Sequence, residues 1–140
     1  MKKKYLPANY QLSVKRSSAG LGLFAKENIP KGICLIEYIG RVISPEEEYT
    51  SNSKYLFEIN SKKTIDGSAR SNLARYINHS CRPNSEPTIH NGQVFIFTKK
   101  PIKSGEEITY DYGKEYWNEH IKPKGCRCSK CQTKTSLINQ

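Results

Sequence analysis

The stretch Arg75-Tyr76-Ile77-Asn78-His79-Ser80-Cys81-Arg82-Pro83-Asn84 decides how this chain is read. An apolar pair, Tyr76 and Ile77, runs directly into Asn, His, Ser and Cys. Buried backbone groups need partners, and Asn and Ser side chains supply them. Pro83 fixes its own φ and disfavours helix at Arg82, so the chain turns there. Such a stretch carries groups that line a pocket and a thiol that reaches a metal. The competing reading is a loop around a buried Cys, since free Cys is among the most buried residue types.

Composition frames the choice. A chain of 140 residues makes one domain with a real core. Nine Tyr against one Met favour surfaces that are apolar and hydroxyl-bearing at once. The formal net charge of +10 suits anionic partners such as nucleic acid or acidic lipid. Part of it is terminal, in Lys2, Lys3 and Lys4 and in Lys122, Lys124, Arg127, Lys130 and Lys134, and a merely solvated surface is the alternative. No apolar run reaches the roughly 18 residues that cross a bilayer. Met1-Lys-Lys-Lys is followed by no apolar signal region, so the chain reads as intracellular. Of five Cys, three crowd into Cys126-Arg-Cys128-Ser-Lys-Cys131, which in an intracellular chain favours metal over disulfides.

Local patterns predict many short strands and little helix. Residues 1–9 read as a loose tail. Tyr10 to Val14 alternates as a short strand. Gly20-Leu21-Gly22 leads into an apolar strand, and its two Gly let backbone approach a ligand. A turn at Pro30-Lys31-Gly32 precedes an apolar strand from Ile33 to Ile39. Ser44-Pro45-Glu46-Glu47 starts a short helix, with Ser as N-cap, Pro at the first position and Glu completing a capping box. Lys54 to Asn60 reads as a strand. Arg70 to Ile77 reads as about two helical turns with Leu73, Tyr76 and Ile77 on one face. Asn91-Gly92 between strand-like runs marks a tight hairpin. Ile108-Thr109-Tyr110 is a last short strand. The predicted fold class is mostly β, with several small sheets.

Two constellations carry chemistry. Structural zinc takes four N or S ligands in a tetrahedron. Cys126, Cys128 and Cys131 supply three, and the fourth comes from Cys81, Cys34, His79, His90 or His120. Cys34 lies within an apolar strand and reads as a buried thiol; Cys81, on the turn, is the favoured ligand. The second constellation is Tyr110-Asp111-Tyr112, whose two Tyr stand at i and i+2 and face one side of a strand. Two phenols on one wall can grip and orient a nucleophile, or simply pack.

Together these pieces resemble the SET-domain protein-lysine methyltransferases, from about Gln11 to Cys131. Ala19-Gly20-Leu21-Gly22-Leu23-Phe24 is similar to the family's first motif and Glu37-Tyr38-Ile39-Gly40 to its second. Tyr55-Leu56-Phe57 resembles its cofactor-contacting strand, Arg75 to Asn84 its signature, and Gly105 to Tyr112 its last motif. The Cys trio resembles the post-SET zinc segment, whose fourth ligand is the signature Cys, here Cys81. One spacing differs: Cys128 and Cys131 are separated by two residues, where the family commonly has four.

The resemblance implies a SET fold over residues 10–113, in which the signature and the last motif cross in a knot-like arrangement. A post-SET zinc segment and C-terminal tail would fill residues 114–140. It implies S-adenosylmethionine as cofactor and structural zinc. Gly20, Leu21, Gly22, Tyr55, Arg75, Asn78, His79 and Trp117 would bind the cofactor. Tyr38, Tyr110 and Tyr112 would wall a lysine channel. Tyr112 would orient the amine, and Tyr110, as Tyr rather than Phe, would favour mono- and dimethylation. The expected partner is a protein with an exposed lysine, most simply a histone tail, which would put the chain in the nucleus. A non-histone protein on DNA, or a silent zinc and nucleic-acid binding module, are the other readings.

Overall fold

The computed structural model describes residues 5–18 and 20–113. Four small β-sheets make up most of it. β1 (Leu12–Ser17) and β2 (Gly20–Ala25) form an antiparallel hairpin, paired residue for residue from Leu12 opposite Ala25 to Ser17 opposite Gly20. The first strand therefore runs past Val14, to Ser17. Gly20, at φ +100°, closes the hairpin in a conformation that favours glycine.

β3 (Cys34–Tyr38), β8 (Ser85–His90) and β9 (Gln93–Thr98) form a three-stranded sheet in the order β3-β9-β8. The hairpin between β8 and β9 turns at Asn91 and Gly92, both at positive φ (50° and 76°), as the Asn-Gly pair predicts. β9 is apolar without alternation because it is buried on both faces. Val94 and Ile96 join the main core, while Phe95 and Phe97 join a second cluster with Cys34. Tyr5, within the stretch read as a tail, packs on that second cluster and stacks on His90 with ring centroids 3.8 Å apart.

β4 (Arg41–Ile43), β5 (Leu56–Asn60) and β6 (Lys63–Asp66) form the other three-stranded sheet, in the order β4-β6-β5. Between β4 and β5 lies α1 (Pro45–Thr50), capped by the Ser44 hydroxyl, which accepts from the Glu47 amide at 3.3 Å. The two-turn helix expected over Arg70–Ile77 is instead a single 3-10 turn at Leu73–Tyr76. Asn72 accounts for the short start. Its side chain donates to the Gly67 carbonyl and accepts from the Ile39 amide, so it binds neighbouring loops instead of capping a helix. Leu73 is 42% exposed, and Ala74 and Ile77 are the residues that enter the core.

The last sheet is the smallest. β7 (Asn78–His79) and β10 (Thr109–Tyr110) run parallel, bringing the signature and the last motif side by side. Leu23, Ile77, Ile96 and Ile108 are at most 1% exposed and pack where the sheets meet. Each such side chain contributes about 1.5–3 kcal/mol by leaving water. Among the described residues, no helix is long and apolar enough to cross a membrane.

Candidate functional site

Two strands of two residues each cannot hold one another by ladder bonds alone; side chains lock this pair. Asn78 stands opposite Thr109 and His79 opposite Tyr110. The Ser80 amide donates to the Tyr110 carbonyl at 3.1 Å. Asn84, 7% exposed, donates from Nδ2 to the Glu107 carbonyl at 2.8 Å and accepts the Thr109 amide on Oδ1 at 3.0 Å. Beyond β10, the Tyr112 amide donates to His79 Nδ1 at 3.1 Å, and the Tyr112 phenol donates to the Ile77 carbonyl. The Tyr110 and Tyr112 rings lie 5.0 Å apart, tilted by 51°. The phenol of Tyr112 is thus fixed beside the Asn78-His79 corner.

These bonds set the state of His79. Because Nδ1 accepts from a backbone N–H, the neutral ring carries its proton on Nε2. Nε2 lies 3.5 Å from Cys81 Sγ. Burial lowers the His79 pKa, and Asp111, with Oδ1 3.7 Å from Nδ1, opposes that shift only in part. A neutral His79 follows, with its two nitrogens turned to the Tyr112 backbone and the Cys81 sulfur. Cys81 itself is partly exposed, at the turn.

Asn78 is the meeting point of three segments. Its Nδ2 donates to the Leu21 carbonyl at 2.9 Å and to Glu107 Oε2 at 2.8 Å, and lies 3.0 Å from Ser17 Oγ. The Gly105–Ile108 segment is carried there along β2: the Ile108 amide donates to the Leu23 carbonyl at 2.8 Å, and Glu107 bridges Phe24. A Cβ on Gly22 would fall onto Glu107 Oε2 and 3.1 Å from Asn78 Nδ2. Gly22 therefore makes room for a protein carboxylate.

A second group gathers around Tyr55. The buried Tyr38 donates its hydroxyl to the Tyr55 carbonyl at 2.7 Å. The Arg75 guanidinium lies 4.4 Å from the Tyr55 ring centroid and 5.2 Å from that of Tyr76. Arg75 Nε is buried and has no hydrogen-bond partner among the described residues. Such a donor is costly to leave unmet and fits an acceptor on a ligand.

The SET-domain family profile matches residues 20–113. The chain belongs to the SET-domain family. β1, which pairs along the whole of β2, lies ahead of the matched residues. Over 126 residues the chain is 37% identical to Histone-lysine N-methyltransferase trr of Drosophila melanogaster, covering 81% of this chain and 5% of that protein. Over 123 residues it is 39% identical to Histone-lysine N-methyltransferase SETD1 of the same organism, covering 76% of this chain and 8% of that protein. Among solved structures, Chaetomium thermophilum Polycomb Repressive Complex 2, in an autoinhibited conformation bound to S-adenosylmethionine, superposes with a TM-score of 0.69 at 32% identity. That match covers 76% of this chain and 15% of the other. This SET domain thus spans a small part of the length of the relatives it matches.

Trp117, Cys126, Cys128 and Cys131, named from the sequence, lie outside the described residues of this SET domain. Cys34, the less favoured ligand candidate, is 5% exposed, and burial followed by Glu37 raises its pKa. Sequence reasoning missed Ser17, Asn84 as a tie to the last motif, and above all Glu107. Glu106 and Glu107 look alike in sequence. Alternation along the last motif was the available signal, since only Glu107 shares a side with Thr109.

Proposed function

We propose that this SET domain is a protein-lysine N-methyltransferase that uses S-adenosylmethionine and acts on a histone tail. The observation that carries the reading is the corner where the Tyr112 phenol, the Ile77 carbonyl and the Asn78-His79 pair meet, with the Tyr110 ring alongside. The relatives named as histone-lysine methyltransferases support it.

S-adenosylmethionine, when bound, supplies a methyl group already activated on a sulfonium. The residues present fit it. Asn78 offers Oδ1 as an acceptor, Arg75 Nε is a buried donor, and backbone at Leu21 and Gly22 borders Asn78, with Gly20 leading into it. His79 contributes backbone, and Tyr55 an aromatic face. What remains is to deliver a neutral amine in line. A lysine ammonium has no lone pair, and its ordinary pKa is about 10.4. An aromatic channel beside a second positive charge lowers that value. Tyr112 orients the amine, Tyr110 and Tyr38 narrow the channel, and positioning supplies much of the rate. The Tyr110 hydroxyl takes up room that a third methyl would need, so mono- and dimethylation dominate.

Cys81, with Cys126, Cys128 and Cys131, would hold a structural zinc, which would pin the C-terminal segment to the signature turn. The Cys81 sulfur is a thiol with a ring N–H directed at it, a donor set suited to a zinc-bound thiolate. Residues 114–140 would then act as a post-SET segment, with Trp117 over the adenine. A histone substrate places the protein on chromatin in the nucleus. Methyl transfer to core histones, followed by mass-spectrometric site mapping, tests the proposal; absence of transfer to any lysine by the zinc-loaded chain removes it.

A further inference from the structure

We propose that Glu107 is a positioning residue that fixes which face Asn78 shows the cofactor. The inference rests on the methyltransferase reading above. An amide group has two N–H donors and one carbonyl acceptor. Around Asn78, the Leu21 carbonyl and the Glu107 carboxylate are obligate acceptors, so both must face Nδ2. They claim its two protons, and the Ser17 hydroxyl shares one of them. Asn78 Oδ1 accepts no hydrogen bond among the described residues. Asn78 therefore presents an acceptor and no donor.

That choice has a chemical consequence. Asn78 follows Ile77, whose carbonyl holds the Tyr112 phenol, so it borders the transfer end of the site. The sulfonium of S-adenosylmethionine joins its nucleoside and amino-acid halves, and the cationic donor of the amino-acid half is the α-ammonium. A fixed Oδ1 receives that ammonium; without the Glu107 acceptor only the Leu21 carbonyl and the Ser17 hydroxyl hold Nδ2 away from it. Glu107 is the charged member of the lock, and its hydrogen bond is of the stronger, charge-assisted kind. Gly22 belongs to the same device. Its φ lies outside the left-handed region, so alanine fits the backbone there, but the added Cβ would displace the carboxylate.

Calorimetric titration of the full chain with S-adenosylmethionine and with 5′-methylthioadenosine, which lacks the ammonium, tests this. Loss of one such hydrogen bond is worth about tenfold. Glu107→Ala and Gly22→Ala should each bind S-adenosylmethionine about tenfold more weakly and 5′-methylthioadenosine less than about twofold more weakly. Glu107→Gln, whose amide oxygen can still accept from Asn78, should recover most of the affinity. Equal losses for the two ligands, or a Gln variant as weak as the Ala variant, overturn the inference. If Glu107→Ala does not fold, Gly22→Ala and Glu107→Gln carry the same comparison. Wild-type binding with unaltered variants sinks this inference alone; a wild type that binds neither ligand sinks the methyltransferase reading and this with it.

Discussion

Tyr112 and Ile77, 35 residues apart in sequence, are joined by a hydrogen bond from the phenol to the backbone carbonyl. The bond points the hydroxyl at the residue just before Asn78, and the Tyr112 amide is held by His79 at the same time. Both ends of Tyr112 are thus anchored to the signature stretch. Backbone and phenol are fixed together, as the proposed orienting of an amine requires.

Tyr110 lies on the same wall, with its ring 5.0 Å from that of Tyr112. On the proposed reading, removing its hydroxyl gives the lysine channel more room. Tyr110→Phe should shift products from mono- and dimethyl-lysine towards trimethyl-lysine, read by mass spectrometry of a peptide substrate. An unchanged distribution would remove Tyr110 from the control of product degree.

Asn84 ties the signature turn to the last motif with two side-chain hydrogen bonds. Its loss leaves the Glu107 carbonyl and the Thr109 amide without these partners. Asn84→Ala should destabilise the fold by about 3 kcal/mol in denaturant unfolding. A change within about 0.5 kcal/mol, the range of ordinary surface substitutions, would mean the pairing of β7 and β10 does not depend on it.

Zinc, in this account, acts through Cys81. Chelation should abolish S-adenosylmethionine binding and activity while the cooperative unfolding of the β-sheets persists. A chelated protein with full activity would uncouple the metal from the site.

Much of this was legible in the chain. The hairpin at Asn91-Gly92, the Ser44 cap and the apolar β9 follow from local rules, because each depends on neighbours a few residues away. The Tyr110 and Tyr112 side-by-side placement follows from strand alternation. What local rules missed is long-range. Asn72 shortens the turn before Tyr76 by binding Ile39 and Gly67. Glu107 reaches Asn78 only because the last motif runs along β2. The resemblance supplied the meeting of signature and last motif, which hydrophobic periodicity does not encode.

Cys34 gives a test of the core by pH. Burial raises its pKa above the ordinary thiol value, with Glu37 adding to the shift. The unfolded thiol ionises at its ordinary value, so near and above that pH the native state holds the proton that the unfolded state releases. Stability therefore falls as pH rises, from about the unfolded value upward. Cys34→Ala should show a shallower alkaline loss than wild type in unfolding titrations. Native Cys34 should also resist iodoacetamide under conditions that alkylate it in denaturant. Equal slopes together with ready native alkylation would contradict its placement beneath Phe95 and Phe97.

The most direct test compares wild type with Tyr112→Phe for transfer of labelled methyl from S-adenosylmethionine to core histones, alongside cofactor affinity. The account predicts that kcat falls by about a hundredfold or more, on the scale of losing one oriented catalytic group, while cofactor affinity stays within about threefold. A Tyr112→Phe enzyme with wild-type turnover, or a wild-type chain that transfers no methyl to lysine, would contradict it.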